Sequence, residues 1–181
     1  LTINSNLANV MVKLGNASQG ESLMRQVLEE ARDAGVSNSA IALITTYNLV
    51  ELLNNNGQHI EAYELGYENH QSMTATFGES HPYTAMSIDN LAISRAGLER
   101  FDDAMKSHQQ ALHILSEVVG DDHPLVLTVQ LHQAETWVLA GQNADAQVVL
   151  ELLVEKQKRL LGRNHPETQK GIDLLSQVES R

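Results

Sequence analysis

The chain has 181 residues, no cysteine, three prolines, 42 % hydrophobic residues and a formal net charge of −11. Such a composition suits a folded, mostly helical protein and excludes a disulfide framework and thiol chemistry. The acidity argues against a nucleic-acid or anionic-membrane binder, both of which want a basic face. No apolar run approaches the ~20 residues that span a bilayer and no secretory leader is visible, so a cytoplasmic location without membrane contact is expected. The first residue is Leu1 rather than Met, which is read as the start of a fragment of a larger protein.

Residues 1–14 place Ile3, Leu7, Val10, Met11 and Leu14 on one helical stripe. Ser18 followed by Glu21 reads as a capping box for a second helix, whose apolar face is Leu23, Met24, Val27, Leu28 and Ala31. Ser37, Asn38 and Ser39 are cap candidates for a third helix through Ile41, Ile44, Leu49, Leu52 and Leu53, which stops in Asn54-Asn55-Asn56-Gly57. A fourth runs from about His59 to Thr76. At His81-Pro82 the proline fits a first helical position and pushes the histidine into the extended conformation of an N-cap. The helix that follows carries Met86, Ile88, Leu91, Ala92 and Ile93. Phe101 to Val119, Leu125 to Leu139, Ala144 to Leu161 and Glu167 to Glu179 complete nine expected helices, and a further helix would be due after Arg181.

These elements recur. His-Pro stands at His81-Pro82, His123-Pro124 and His165-Pro166, spaced 42 residues apart, each three residues after Gly78, Gly120 or Gly162. The same step links Gly15, Gly57, Glu99 and Gly141, and links Gly20, Ala62, Ala104 and Ala146. In the first unit the frame puts Ser39-Ala40 in place of His-Pro. A fixed period of this length marks a helical repeat array, in which each amphipathic helix pair is marginal alone and stacking buries a continuous core. The expectation is an all-α, α-α superhelix: one solenoid of four helix pairs plus a terminal helix, with units at about 1–38, 39–80, 81–122, 123–164 and a half-unit at 165–181.

HPYTAMSIDNLA (81–92) followed by RFDDAMKSHQQALHI (100–114) resembles a tetratricopeptide repeat (TPR), and the 42-residue period with its GxxHP turn resembles the long form found in kinesin light chains and their bacterial relatives. The resemblance is good over 39–181 and weak over 1–38. It implies a right-handed superhelix whose first helices line a concave groove for extended peptides, a non-enzymatic interaction scaffold, and a docking or sensory role within a larger signalling protein. By the same resemblance, the residue before the Leu-Ala of each first helix faces the groove: Asn6, Asn48 and Asn90, with His132 departing in the fourth unit. A side-chain amide donates and accepts, so a row of them would hold a peptide backbone without reading its side chains. The alternative is that these residues cap or bridge neighbouring helices. The flanking columns add Tyr47 and Asp89, then Glu51, Ile93 and Glu135. Carboxylates there favour a neutral or basic segment over an acidic one.

Other residues carry plainer readings. Of the eight histidines, three belong to the His-Pro turns, and His59, His70, His108, His113 and His132 show no metal-ligand spacing, so neither metal nor cofactor is expected. Trp137 falls in an apolar column and is read as core; Arg95 in the same column either snorkels or touches the groove. Gly66 inside a helix points to a close helix approach. Asp102-Asp103 and Asp121-Asp122 are read as carboxylates at helix starts, where the macrodipole favours them, and not as catalytic pairs. Self-association is a second reading, with end-to-end contact through Ile3 and Leu7 at one terminus and Leu175 and Val178 at the other.

Overall fold

A computed structural model describes residues 1–180; Arg181, with the boundary expected there, lies outside the described residues. It contains nine α-helices and no strand among those residues: α1 (Thr2–Lys13), α2 (Ala17–Asp33), α3 (Ala40–Asn55), α4 (His59–Phe77), α5 (Pro82–Gly97), α6 (Phe101–Val119), α7 (Pro124–Leu139), α8 (Asn143–Leu160) and α9 (Pro166–Glu179). They pack as antiparallel neighbours in chain order. Each odd-numbered helix also touches the next odd-numbered one, whereas no two even-numbered helices approach closely among the described residues. The odd helices therefore form a continuous layer, and the even helices back it.

The two turn types differ because their residues differ. The odd helices α1, α3, α5 and α7 close by the same reverse bond, in which Asn16, Gln58, Arg100 and Gln142 donate to the carbonyls of Met11, Leu53, Arg95 and Trp137. That closure puts the residue before the donor in the left-handed region, where glycine costs least. Gly15, Gly57 and Gly141 occupy it, but in the third unit it is Glu99, at φ 60°. A side chain held there costs about 1–2 kcal/mol relative to a right-handed conformation. The following helices start without any side-chain cap. The capping box expected at Ser18 is absent: the reverse bond fixes the boundary, Asn16 is the N-cap, and Ser18 already lies inside α2.

The His-Pro turns are capped. His81, His123 and His165 are extended N-caps whose Nδ1 accepts the N–H of Tyr83, Leu125 and Glu167, at 3.1, 3.2 and 3.3 Å. In the first unit Ser39 does the same work, accepting from the Ala42 N–H. Asp121 and Asp122 precede this cap rather than entering the first turn of α7. Asp122 instead ties the turn to α8 through Lys156 at 2.8 Å and Arg159 at 3.4 Å. Asp102 and Asp103 do occupy the first turn of α6.

The core runs along the array. Ala62, Ala104 and Ala146 are fully buried at the crossings of paired helices. Gly66 in α4 sits where an added Cβ would lie 3.2 Å from Val50 and 3.3 Å from Leu91, so α4 can rest closely on both α3 and α5. Trp137 packs against the last core cluster with Leu127, Leu131 and Leu150. Arg95, its column-mate, turns towards the backing helices: it donates to Ser107 Oγ and lies 5.5 Å from the Tyr63 ring.

Candidate interaction surface

The residues expected to form a ligand-facing row lie on the odd-helix layer, but at different depths. Asn6 is exposed and Asn48 half-buried, and neither side chain has a hydrogen-bond partner among the described residues. Asn90 is buried, and its Nδ2 donates to the Tyr47 carbonyl at 3.4 Å. Its own backbone carbonyl receives Asn54 Nδ2 at 3.0 Å and Ser94 Oγ at 3.0 Å. At Asn90 the bridging alternative therefore holds: the amide braces α5 against α3. Tyr47 itself is half-buried, its ring edge-on to Tyr83 with centroids 6.5 Å apart. Burial pushes its phenol up, and the charges of Glu51 and Asp89 add to the effect.

Asp89 departs most from expectation. It is fully buried and presents no carboxylate to a ligand. Its Oδ1 accepts from His108 Nδ1 at 2.7 Å and its Oδ2 from His132 Nδ1 at 2.7 Å. His108, also fully buried, reaches Thr136 Oγ1 with its other ring nitrogen at 3.0 Å. One carboxylate thus joins α5, α6 and α7. Burial alone would raise the Asp89 carboxyl, but the two imidazoles outweigh it and hold the group well below the usual carboxylate range. Burial would likewise lower His132; the Asp89 charge and hydrogen bond outweigh this, with help from Glu135 and Glu167, and raise it to about 9. His132 is then a cation at neutral pH whose charge Asp89 balances from below. The order Thr136, His108, Asp89 matches the hydroxyl–imidazole–carboxylate relay of hydrolases. Thr136 is only 2 % exposed and its hydroxyl is engaged with His108, so the relay acts here as a strut.

Pattern reading in one dimension missed this network. A helix column specifies a direction, whereas depth depends on how closely the next helix rides. The available signal was a spacing of 43: Tyr47 meets Asn90 and Asp89 meets His132 at that same separation.

Glu51 reaches solvent, yet crowding on the layer disfavours its charge and raises its carboxyl. His132, Lys13 and Lys170 pull the other way, and Asp89 adds to the rise. These partners come from α1, α5, α7 and α9, so charges on separated odd helices act on one another along the layer. On that layer, Ile93, His132 and Glu135 line a half-open cavity of about 310 Å³ between α5 and α7. A wider depression of about 740 Å³ lies between α2 and α4; there Arg25 pairs with Glu61 at 2.7 Å and Arg32 with Glu29 at 3.3 Å, while Glu64 and Glu68 form no ion pair among the described residues.

The two chain ends differ. On α1 Ile3 is 81 % exposed and at its C-cap Leu14 is 73 % exposed, with Leu7 and Val10 half-exposed between them. On α9, Val178 is only 6 % exposed and packs with Leu174 and Leu175 against α7 and α8. Its outward residues are polar: Gln169, Lys170, Asp173, Ser176 and Gln177. The apolar edge expected at Leu175 and Val178 is therefore covered, because α9 uses it to close the last core cluster. None of the helices described is long and apolar enough to cross a membrane.

Residues 41–117 match the family model of the tetratricopeptide repeat. No curated protein matches the chain in sequence. Among solved structures it is similar to a kinesin light chain protein with nearly identical TPR-like repeats from Podosopora anserina. That comparison has a TM-score of 0.74 and 23 % identity, and it covers 99 % of this chain and 85 % of the other. It is also similar to BtubC (BKLC) from P. vanneervenii, with a TM-score of 0.73, 21 % identity, and coverage of 98 % and 70 %. The fold is thus a TPR-like solenoid, similar to those of kinesin-light-chain-like repeat proteins.

Proposed function

We propose that this TPR array is an interaction scaffold that receives an extended segment of a partner protein along its odd-helix layer, as the docking module of a larger signalling protein. The observation that carries this reading is the continuous layer of first helices, each in contact with the next, with the half-open cavity at Ile93, His132 and Glu135 on it. Such a layer offers a face along which a strand-like segment can meet several repeats at once. Asn6 and Asn48, whose amides are unpaired among the described residues, take the role of backbone clamps. Glu51, Ile93, His132 and Glu135 take side-chain contacts. Tyr47 and Asn90 shape the floor, and Asp89 acts from beneath by keeping His132 charged. Glu51 and Glu135 incline the face to neutral or basic segments.

Peptide-display selection against the chain tests this, with a counter-screen on an Asn6→Ala/Asn48→Ala variant. The expected result is a set of extended peptides that bind the variant about tenfold more weakly, the cost of roughly 1.4 kcal/mol in lost hydrogen bonds. Equal affinity for both proteins would sink the clamp.

A second reading, self-association, draws on the exposed α1 stripe. It predicts a mass that rises with concentration and falls to the monomer in Ile3→Gln/Leu14→Gln. With α9 polar outside, the contact would be α1 against α1, the self-complementary form of a two-fold dimer.

A further inference from the structure

The half-open cavity between α5 and α7 combines features that the layer alone does not require. Its walls are apolar at Ile93, Ala96, Phe101 and Leu139. Its polar lining is His59, Thr136 and two carboxylates, Glu99 and Glu135, neither of which forms an ion pair among the described residues. His132 also lines it, but that imidazole is already paired with Asp89, so it does not neutralise the two carboxylates.

Glu99 differs from its counterparts in the other units. Three of the four equivalent turns use glycine at a left-handed position; the turn bordering this cavity uses a glutamate held at φ 60°. Glycine would make the same reverse bond without strain, so the turn does not explain the residue.

We propose that this cavity is a recognition pocket for one arginine or lysine side chain of the bound segment, its aliphatic stem along Ile93 and Leu139 and its cationic head between Glu99 and Glu135. Arginine fits better than lysine. Its planar guanidinium can be shared by two carboxylates and can lie over the Phe101 ring, whereas an ammonium is a strongly hydrated point charge. The assignment deepens the groove reading and rests on it.

The test is an NMR titration of the folded chain with N-acetyl-arginine amide, alongside N-acetyl-citrulline amide as the neutral analogue of nearly equal shape. Arginine amide is expected to shift the amides of Ala96, Gly97, Glu135 and Thr136, and citrulline amide to leave them in place. Glu99→Gly and Glu135→Gln should each weaken the arginine response about tenfold, as loss of a charge-assisted contact predicts. Glu99→Gly removes strain, so its melting temperature should stay level or rise, which separates lost binding from lost folding. Equal shifts with citrulline, shifts elsewhere on the surface, or none at all would overturn the pocket. The groove reading fails separately: selected peptides that ignore Asn6 and Asn48 remove it whatever arginine amide does. Selected peptides that bind the layer without a basic residue, and bind Glu135→Gln undiminished, remove the pocket alone.

Discussion

A buried carboxylate shared by two imidazoles gives the molecule a dependence on pH that its surface does not reveal. His132 titrates near 9 in the folded chain, against 6.5 for an ordinary histidine. Its pKa is raised by folding, so its contribution to stability is complete below about pH 6.5 and fades as pH climbs to about 9. Asp89 is shifted the other way: its contribution is present above the ordinary carboxylate range and is lost only in strong acid. Urea unfolding measured between pH 6 and pH 10 should therefore show stability falling through this window in the native chain, and a flat profile in His132→Gln. A native profile that is itself flat would contradict the charged pair. Asp89→Asn should cost about 3 kcal/mol or more at pH 7, since it breaks a buried network joining three helices. At this scale the sequence was legible for residues whose role is local. Gly66, Trp137 and the Asp102-Asp103 pair could be placed from their columns. Asp89, Asn90 and His108 could not, because each finds its partner on another helix, at a depth that a helical stripe does not encode.

Among the elements, the His-Pro turn is the unit of construction. Proline sets the first helical residue and histidine supplies the acceptor, so the pair starts a helix and satisfies one of its free N–H groups. His123→Ala should cost about 1 kcal/mol, seen as a fall of roughly 2–4 °C in melting temperature for a chain of this size, and His123→Ser should restore most of it. If alanine and serine behave alike, the Nδ1 acceptor contributes nothing. Helix positions were readable because turn residues and apolar spacing agree in every unit. The start of α2 was misread for an equally physical reason: the end of α1 is closed by a backbone bond that needs no side chain, so a serine near the boundary carries no information about it.

Over the whole molecule, stability is a sum along a line, each pair leaning on its neighbours. Damage at one end should stay there. Val178→Asp, which puts a charge into the last core cluster, is expected to speed amide exchange in α8 and α9 while α3 to α5 keep their protection. Uniform loss of protection would mean that the array unfolds as one block. The period of 42 made the solenoid visible in the sequence, but it did not reveal which end is apolar. That depends on α9 spending Leu174, Leu175 and Val178 inward, while the stripe on α1 has no preceding helix to cover it among the described residues.

The layering also decides how the coil would yield to force. First helices touch one another directly, while second helices meet across repeats only through long side chains such as Arg25 and Glu61. The densely joined side is nearly inextensible and the other side is slack. A pull along the axis should first be taken up by widening the crevices between α2, α4, α6 and α8, at little cost, before any helix pair unravels. The chain would then act as a soft spring whose stiff edge is the layer of first helices, so a partner seated there as proposed would keep its contacts while the coil stretches.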